Sequence, residues 1–200
     1  YALDAATGKP AWSAAVGAPV QATPAVANHV VYVGADNNSL RAYEAARGAL
    51  LWTAFANGPI RSSPAVADGR VFVGSEGGRA YAFDAASGQQ AWMIQASSAI
   101  GSSPAVASGI VYVGTDSNVM ALDGATGGGI WTTPIGARSA PAVANGVVYL
   151  STGDGFVRAF DAWAGTELAS LELKVVGSSP VVVNGTVYVG TNAGLTALQP

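Results

Sequence analysis

The sequence has no cysteine and one histidine among its 200 residues. Without thiols there is no disulfide, no thiolate metal site and no cysteine nucleophile. Any Ser-His-Asp arrangement would have to pass through His29, which sits in Asn28-His29 where sister segments carry Gly, so it reads as a turn residue. No catalytic residue is assigned. Charge is scarce too: 10% of residues are charged and the formal net charge is −3. No Lys/Arg cluster forms the concentrated cationic face that phosphate binding needs, and nucleic acid is not expected as a partner. Long apolar runs are also missing. Half of the residues are hydrophobic, yet they come in short bursts separated by Gly, Asn, Asp and Ser, far below the roughly 18 or more consecutive apolar residues of a membrane-spanning helix. The hydrophobicity therefore belongs to many short buried strands.

What is present is a repeat. A Pro followed by small or branched apolar residues recurs at Pro24, Pro64, Pro104, Pro141 and Pro180, at spacings of 40, 40, 37 and 39. Each is followed by an aromatic-centred strand around Tyr32, Phe72, Tyr112, Tyr149 and Tyr188. An acidic residue closes a third strand at Asp4, Glu44, Asp84, Asp123 and Asp161, and eight residues beyond it stands Trp12, Trp52, Trp92 or Trp131. The fifth of these positions carries Ala169, with Trp163 six residues earlier as either a substitute filler or an exposed spot. Turn chemistry separates the strands: Asp68-Gly69, Ser108-Gly109, Asn145-Gly146 and Asn184-Gly185 suit two-residue hairpin turns, which need positive φ. Asp4-Ala-Ala-Thr-Gly8 and its echoes suit a turn in which Asp accepts downstream amides and Gly takes a left-handed backbone.

Four short antiparallel strands per unit, repeated every 40 or so residues, predict an all-β fold: a five-bladed β-propeller, residues 1–200 forming one domain. The Trp residues are expected to lie between blades, covering the seams. Residues 10–16 supply an outermost strand and Ser178–Leu198 supply three inner ones, so the N-terminal strand is expected to close the last blade. Tyr1–Leu3 and Thr196–Leu198 match the same repeat position, and either could fill it. Tyr1 falls inside an expected strand, so no signal peptide is visible and the chain is expected to derive from a longer precursor.

The string Ala-Leu-Asp-Ala-Ala-Thr-Gly-Lys-Pro-Ala-Trp at residues 2–12, echoed at 82–92 and 121–131, resembles the quinoprotein repeat of PQQ-type propellers across essentially the whole chain. That family includes eight-bladed PQQ-dependent dehydrogenases, the assembly lipoprotein BamB and propeller sensor domains. In the dehydrogenases, the resemblance implies, a vicinal Cys pair and a Trp sandwich the quinone, with Glu, Asn and Asp holding calcium. This chain has no Cys, and its Trp residues fall in the seam register or in an outer turn, so no cofactor is expected. Asp36-Asn37-Asn38 and Asp116-Ser117-Asn118 cluster oxygen donors but lack the full calcium-loop pattern, and no metal is assigned. The resemblance implies a non-catalytic binding, scaffold or sensor module, bacterial and extracellular or periplasmic, with a protein or small-molecule partner. The rivals are a fragment of a PQQ-dependent dehydrogenase and a purely structural array.

Propeller geometry places the start of each inner strand and the second hairpin turns on one face, around the channel mouth. Three residues before the repeat prolines stand Gln21, Arg61, Gly101, Arg138 and Gly177, and the second turns contribute Asp36, Glu76, Asp116, Asp154 and Asn192. No turn geometry requires Arg61 and Arg138, so they are the leading candidates to grip a ligand carboxylate, with Gln21 and the rim residues beside them. The competing expectation is that both arginines pair with rim acids.

Overall fold

The computed structural model describes residues 1–174 and 177–199. The chain is all-β. It opens with a hairpin of β1 (Ala2–Leu3) and β2 (Pro10–Trp12). Blade I follows as β3 (Ala25–Ala27), β4 (Val30–Gly34), β5 (Ser39–Glu44) and β6 (Leu50–Phe55). Blade II is β7 (Ala65–Ala67), β8 (Arg70–Ser75), β9 (Arg79–Asp84) and β10 (Gln90–Gln95). Blade III is β11 (Ala105–Ala107), β12 (Ile110–Gly114), β13 (Val119–Asp123) and β14 (Gly129–Thr133). Blade IV is β15 (Ala142–Ala144), β16 (Val147–Ser151), β17 (Phe156–Asp161) and β18 (Glu167–Glu172). Blade V is β19 (Val181–Val183), β20 (Thr186–Thr191) and β21 (Gly194–Leu198). Strands pair antiparallel in chain order within every sheet, so blades I–IV are four-stranded meanders and blade V has three strands.

The turns form as their residues dictate. Asn28 and His29, Asp68 and Gly69, Ser108 and Gly109, Asn145 and Gly146, and Asn184 and Gly185 all have φ between 49° and 76°, the left-handed pair that matches the twist of a tight hairpin. In the third turn the acid accepts amides from two and three residues downstream: Asp84 Oδ1 takes the N–H of Ala86 at 3.1 Å and of Ser87 at 2.8 Å, plus the Ser87 hydroxyl at 2.7 Å. The same bonds recur at Asp4 and Asp123. These donors hold all three carboxyls below the ordinary range, the hydroxyl bond contributing most.

The core lies in the seams between sheets. Each Trp of an outer strand reaches into the next sheet and donates its indole N–H to a third-turn carbonyl there: Trp12 to Ala45, Trp52 to Ala85, Trp92 to Gly124 and Trp131 to Ala162, all at 2.9–3.1 Å. The ring lies on the turn glycine. A Cβ added to Gly88, whose φ is +73°, would come within 2.7 Å of the Trp52 ring, and Gly127 meets Trp92 in the same way. The expected seam register is therefore observed, with Trp52 and Trp92 buried and Trp12 and Trp131 half-buried. Trp163 donates its backbone N–H to Asp161 and is 61% exposed. It lines a hollow with Ser108 and Gly109 of blade III and does not enter the seam beyond blade IV.

One expected pairing differs. β2 is hydrogen-bonded to β1, with Ala2 opposite Trp12, and not to β21. Tyr1–Leu3 and Thr196–Leu198 carry the same repeat register, but β1 is joined to β2 by the five-residue Asp4–Gly8 turn with its own hydrogen bonds. Local closure costs far less chain entropy than a pairing across nearly the whole sequence. β21 keeps its own place in blade V, and its outer edge has no strand partner among the described residues.

Candidate functional site

Of the residues expected at the channel mouth, Gln21 and Arg61 meet at Asp36, and Arg138 meets Asp116. Linkers between blades bond to the second turns, as in Asp36 N–H to Pro19 at 3.0 Å, Ile60 N–H to Ala35 at 3.1 Å and Glu76 N–H to Pro59 at 2.9 Å. Third turns bond to first turns at the opposite end, as in Ala85 N–H to Gly69 at 2.9 Å.

Serines before the repeat prolines anchor this face, two in the second, third and fifth repeats and one in the fourth. Ser62 Oγ, fully buried, accepts the N–H of Gly74 at 2.8 Å and donates to its carbonyl at 2.9 Å. Ser102 does the same with Gly114, and Ser139 with Ser151. The second serine ties neighbouring blades together: Ser63 Oγ accepts the N–H of Thr23, Ser103 Oγ that of Ser63 and Ser179 Oγ that of Ala140, at 2.9–3.0 Å. The recurrent Ser-Ser-Pro at 62–64, 102–104 and 178–180 was the available signal. It matters for the site because Arg61 and Arg138 immediately precede the buried Ser62 and Ser139, so their backbone is held rigidly.

Both arginines bridge to the second turn of the preceding blade. Arg61 Nε meets Asp36 Oδ1 at 3.0 Å and its Nη2 meets Oδ2 at 3.4 Å, while Gln21 Nε2 donates to Asp36 Oδ2 at 2.9 Å. Arg138 Nε and Nη2 grip Asp116 at 2.6 and 2.8 Å. The bond from Arg61 holds the Asp36 carboxyl below its ordinary range, and each arginine is raised by its acid. Both pairs are open to water: the side chain of Arg61 is 43% exposed and that of Arg138 is 75% exposed. Among the described residues Arg138 bonds through Nε and Nη2 alone.

The other rim residues divide. Blade III starts with Gly101 where its neighbours have Arg, and Glu76 Oε1 lies 3.5 Å from where a Cβ of residue 101 would stand. Glu76 makes no ion pair among the described residues, yet its charge acts on both Arg61 and Arg138. Asp154 is held within its own blade by Arg158 at 2.7 and 2.8 Å, which drives its carboxyl far down. The Asn192 side chain makes no hydrogen bond among the described residues.

The oxygen clusters in these turns are internally engaged. Asn37 Oδ1 accepts from the Ser39 hydroxyl at 2.6 Å, and Asn118 Oδ1 accepts from Thr115 and Ser97. Among the described residues no three His, Cys, Asp or Glu side chains converge as a metal site would require. No helix among them is long and apolar enough to cross a membrane.

A family model described as outer membrane protein assembly factor BamB matches residues 1–134 and 94–200. The chain belongs to this family. Among solved structures, BamB from Moraxella catarrhalis superposes with a TM-score of 0.82 at 21% identity, covering 96% of this chain and 62% of that one. The computationally designed Ika8 protein gives 0.77 at 18% identity, covering 88% and 57%. A quinohemoprotein alcohol dehydrogenase from Pseudomonas putida HK5 gives 0.72 at 18% identity, covering 93% and 42%. At these identities the likeness to the solved structures shows the propeller fold alone, and the BamB-family chain spans less than two thirds of each. No curated protein matches it. One fold thus serves an assembly factor and a dehydrogenase, so chemistry has to be read from side chains.

Proposed function

We propose that this chain is a non-catalytic binding module, one propeller unit of a bacterial protein working outside the cytoplasm, with partner contacts at the channel mouth. The observation that carries the reading is the pair of exposed guanidinium groups, Arg61 and Arg138, each resting on an acid, with Glu76, which makes no ion pair among the described residues, near enough for its charge to act on both. Each arginine already holds an acid, so it does not wait as a bare cation. Its remaining N–H donors suit a further carboxylate on a partner's loop, and a planar guanidinium can bridge two acids. Glu76 accepts a basic or amide group from the same loop. Gln21, Asp36, Asp116, Asp154 and Asn192 form the polar rim, and membership in a family named for an assembly factor supports a protein as the partner.

PQQ does not suit these residues. The rings of Trp12, Trp52, Trp92 and Trp131 are committed to seams, the turn amides bond inward, and Asp36, Asp116 and Asp154 hold arginines. The experiment places a photo-crosslinking amino acid at position 101, in the mouth, and at position 50, on an outer strand, in the native host. Crosslinks to a protein from position 101 that vanish in the Arg61→Ala, Arg138→Ala double variant are expected. Crosslinks from position 50 alone contradict the reading, and a saturable change in quinone absorbance with PQQ and calcium replaces it with the dehydrogenase reading.

A further inference from the structure

In three seams the outer strand sets an indole opposite an alanine of the third strand: Ala42 faces Trp52, Ala82 faces Trp92 and Ala121 faces Trp131. Each ring tilts against the second-strand aromatic, Tyr32, Phe72 or Tyr112, at centroid distances of 5.8–5.9 Å. Blade IV keeps that register with Tyr149 opposite Ala159 and Ala159 opposite Ala169, so the indole is missing. In its place a cavity of about 320 Å³ opens between blades IV and V, lined by Tyr149, Val157, Ala159, Ala169, Val187 and Leu198 among others. Position by position these are the counterparts of Tyr32, Leu40, Ala42, Trp52, Val71 and Phe83, which form one buried cluster in the seam between blades I and II.

We propose that this seam cavity is a binding site for a small planar aromatic molecule of indole size, separate from the channel mouth. Three sister seams show that walls of this kind close around an indole. Its lining is mostly apolar, with Arg158 and Gln199 at its margin, so it favours an apolar ring over water, and its volume falls within the range of small-molecule sites, roughly 300–1,000 Å³. Tyr149 supplies the polar handle. Its counterparts Tyr32 and Tyr112 donate their hydroxyls to Ala85 and Ala162, the carbonyls that also accept the Trp52 and Trp131 indoles. The Tyr149 hydroxyl stands at the same repeat position and can donate to a heteroatom on the ligand's rim.

The test titrates the 200-residue chain with indole, followed by saturation-transfer NMR and by melting temperature. Saturable binding in the high-micromolar to millimolar range is expected. The Ala169→Trp variant, which puts the chain's own indole into the cavity, should weaken it at least tenfold while keeping the β-sheet circular dichroism. Should that variant fail to fold, Ala169→Leu fills part of the same space and is read in the same way. No binding up to the solubility limit of indole, or undiminished binding by a folded variant, overturns the proposal.

Discussion

The seam between blades II and III and the seam between blades IV and V are built from the same repeat and differ in outcome. In the first, Trp92 is 7% exposed, rests on Gly127 and bonds Gly124, and around it Phe72, Ile100, Val111, Val113 and Leu122 are buried. In the second, Ala169 replaces the ring, and only Val157 and Val189 form a buried cluster among the described residues. Every residue of β18 is exposed, Leu168 at 57%. The strands, turns and register of blade IV are otherwise those of its neighbours. Blade formation is therefore local, set by turns and pairing, whereas blade-to-blade coupling depends on one large side chain and the glycine turn that receives it.

The sharpest way to break this comparison is Trp92→Ala, which would convert the tight seam into a copy of the loose one. A loss of about 3–5 kcal/mol is expected, as for large aromatic truncations in packed cores, measured by urea denaturation. A loss below about 1 kcal/mol would mean that the indole does not couple the blades. Next comes Gly88→Ala, which strains a left-handed backbone and drives a methyl into the Trp52 ring. A loss of about 2–4 kcal/mol is expected from the two effects together. Gly69→Ala, with a similar φ but open space around it, isolates the backbone share. In the opposite direction, Ala169→Trp should tighten the loose seam and add about 0.5–2 kcal/mol, the usual yield of cavity filling. The smallest effect is that of pH. Folding depresses the carboxyls of Asp4, Asp84 and Asp123, so their contribution is fully present above the ordinary carboxylate range, near pH 4, and is lost as pH falls through their lowered folded values. An acid melt should show this loss, and Asp84→Asn should flatten part of it.

The fold was legible because each blade's information is local. The Asp-Gly and Asn-Gly pairs specify hairpin turns, the Asp-to-Trp spacing specifies the seam, and both recur often enough to expose the pattern. The partner of β2 was not legible, since β1 and β21 offer it the same register and only the entropy of closure separates them. At the site, the offset to the repeat prolines was enough to bring Arg61 and Arg138 near second-turn acids. Their pairing with rim acids was expected as one of two outcomes and is found, but which acid each meets depends on the rotation between adjacent blades. The Ser-Ser-Pro ties were visible as letters, but Ser62 bonds a glycine twelve residues away across a pair of strands, a contact that sequence spacing alone does not reveal. Ala169 was noticed as a departure, yet the cavity it leaves depends on what blade V presents from the other side.

Native-state hydrogen exchange resolved by strand tests most directly whether the seam indole couples the blades. Amides of β8, β9, β12 and β13, flanking the Trp92 seam, should be the most protected, those of β17, β18, β20 and β21 the least, and Ala169→Trp should raise the second group toward the first. Equal protection of the two seams in the unaltered chain, or no gain in a folded Ala169→Trp variant, would contradict it.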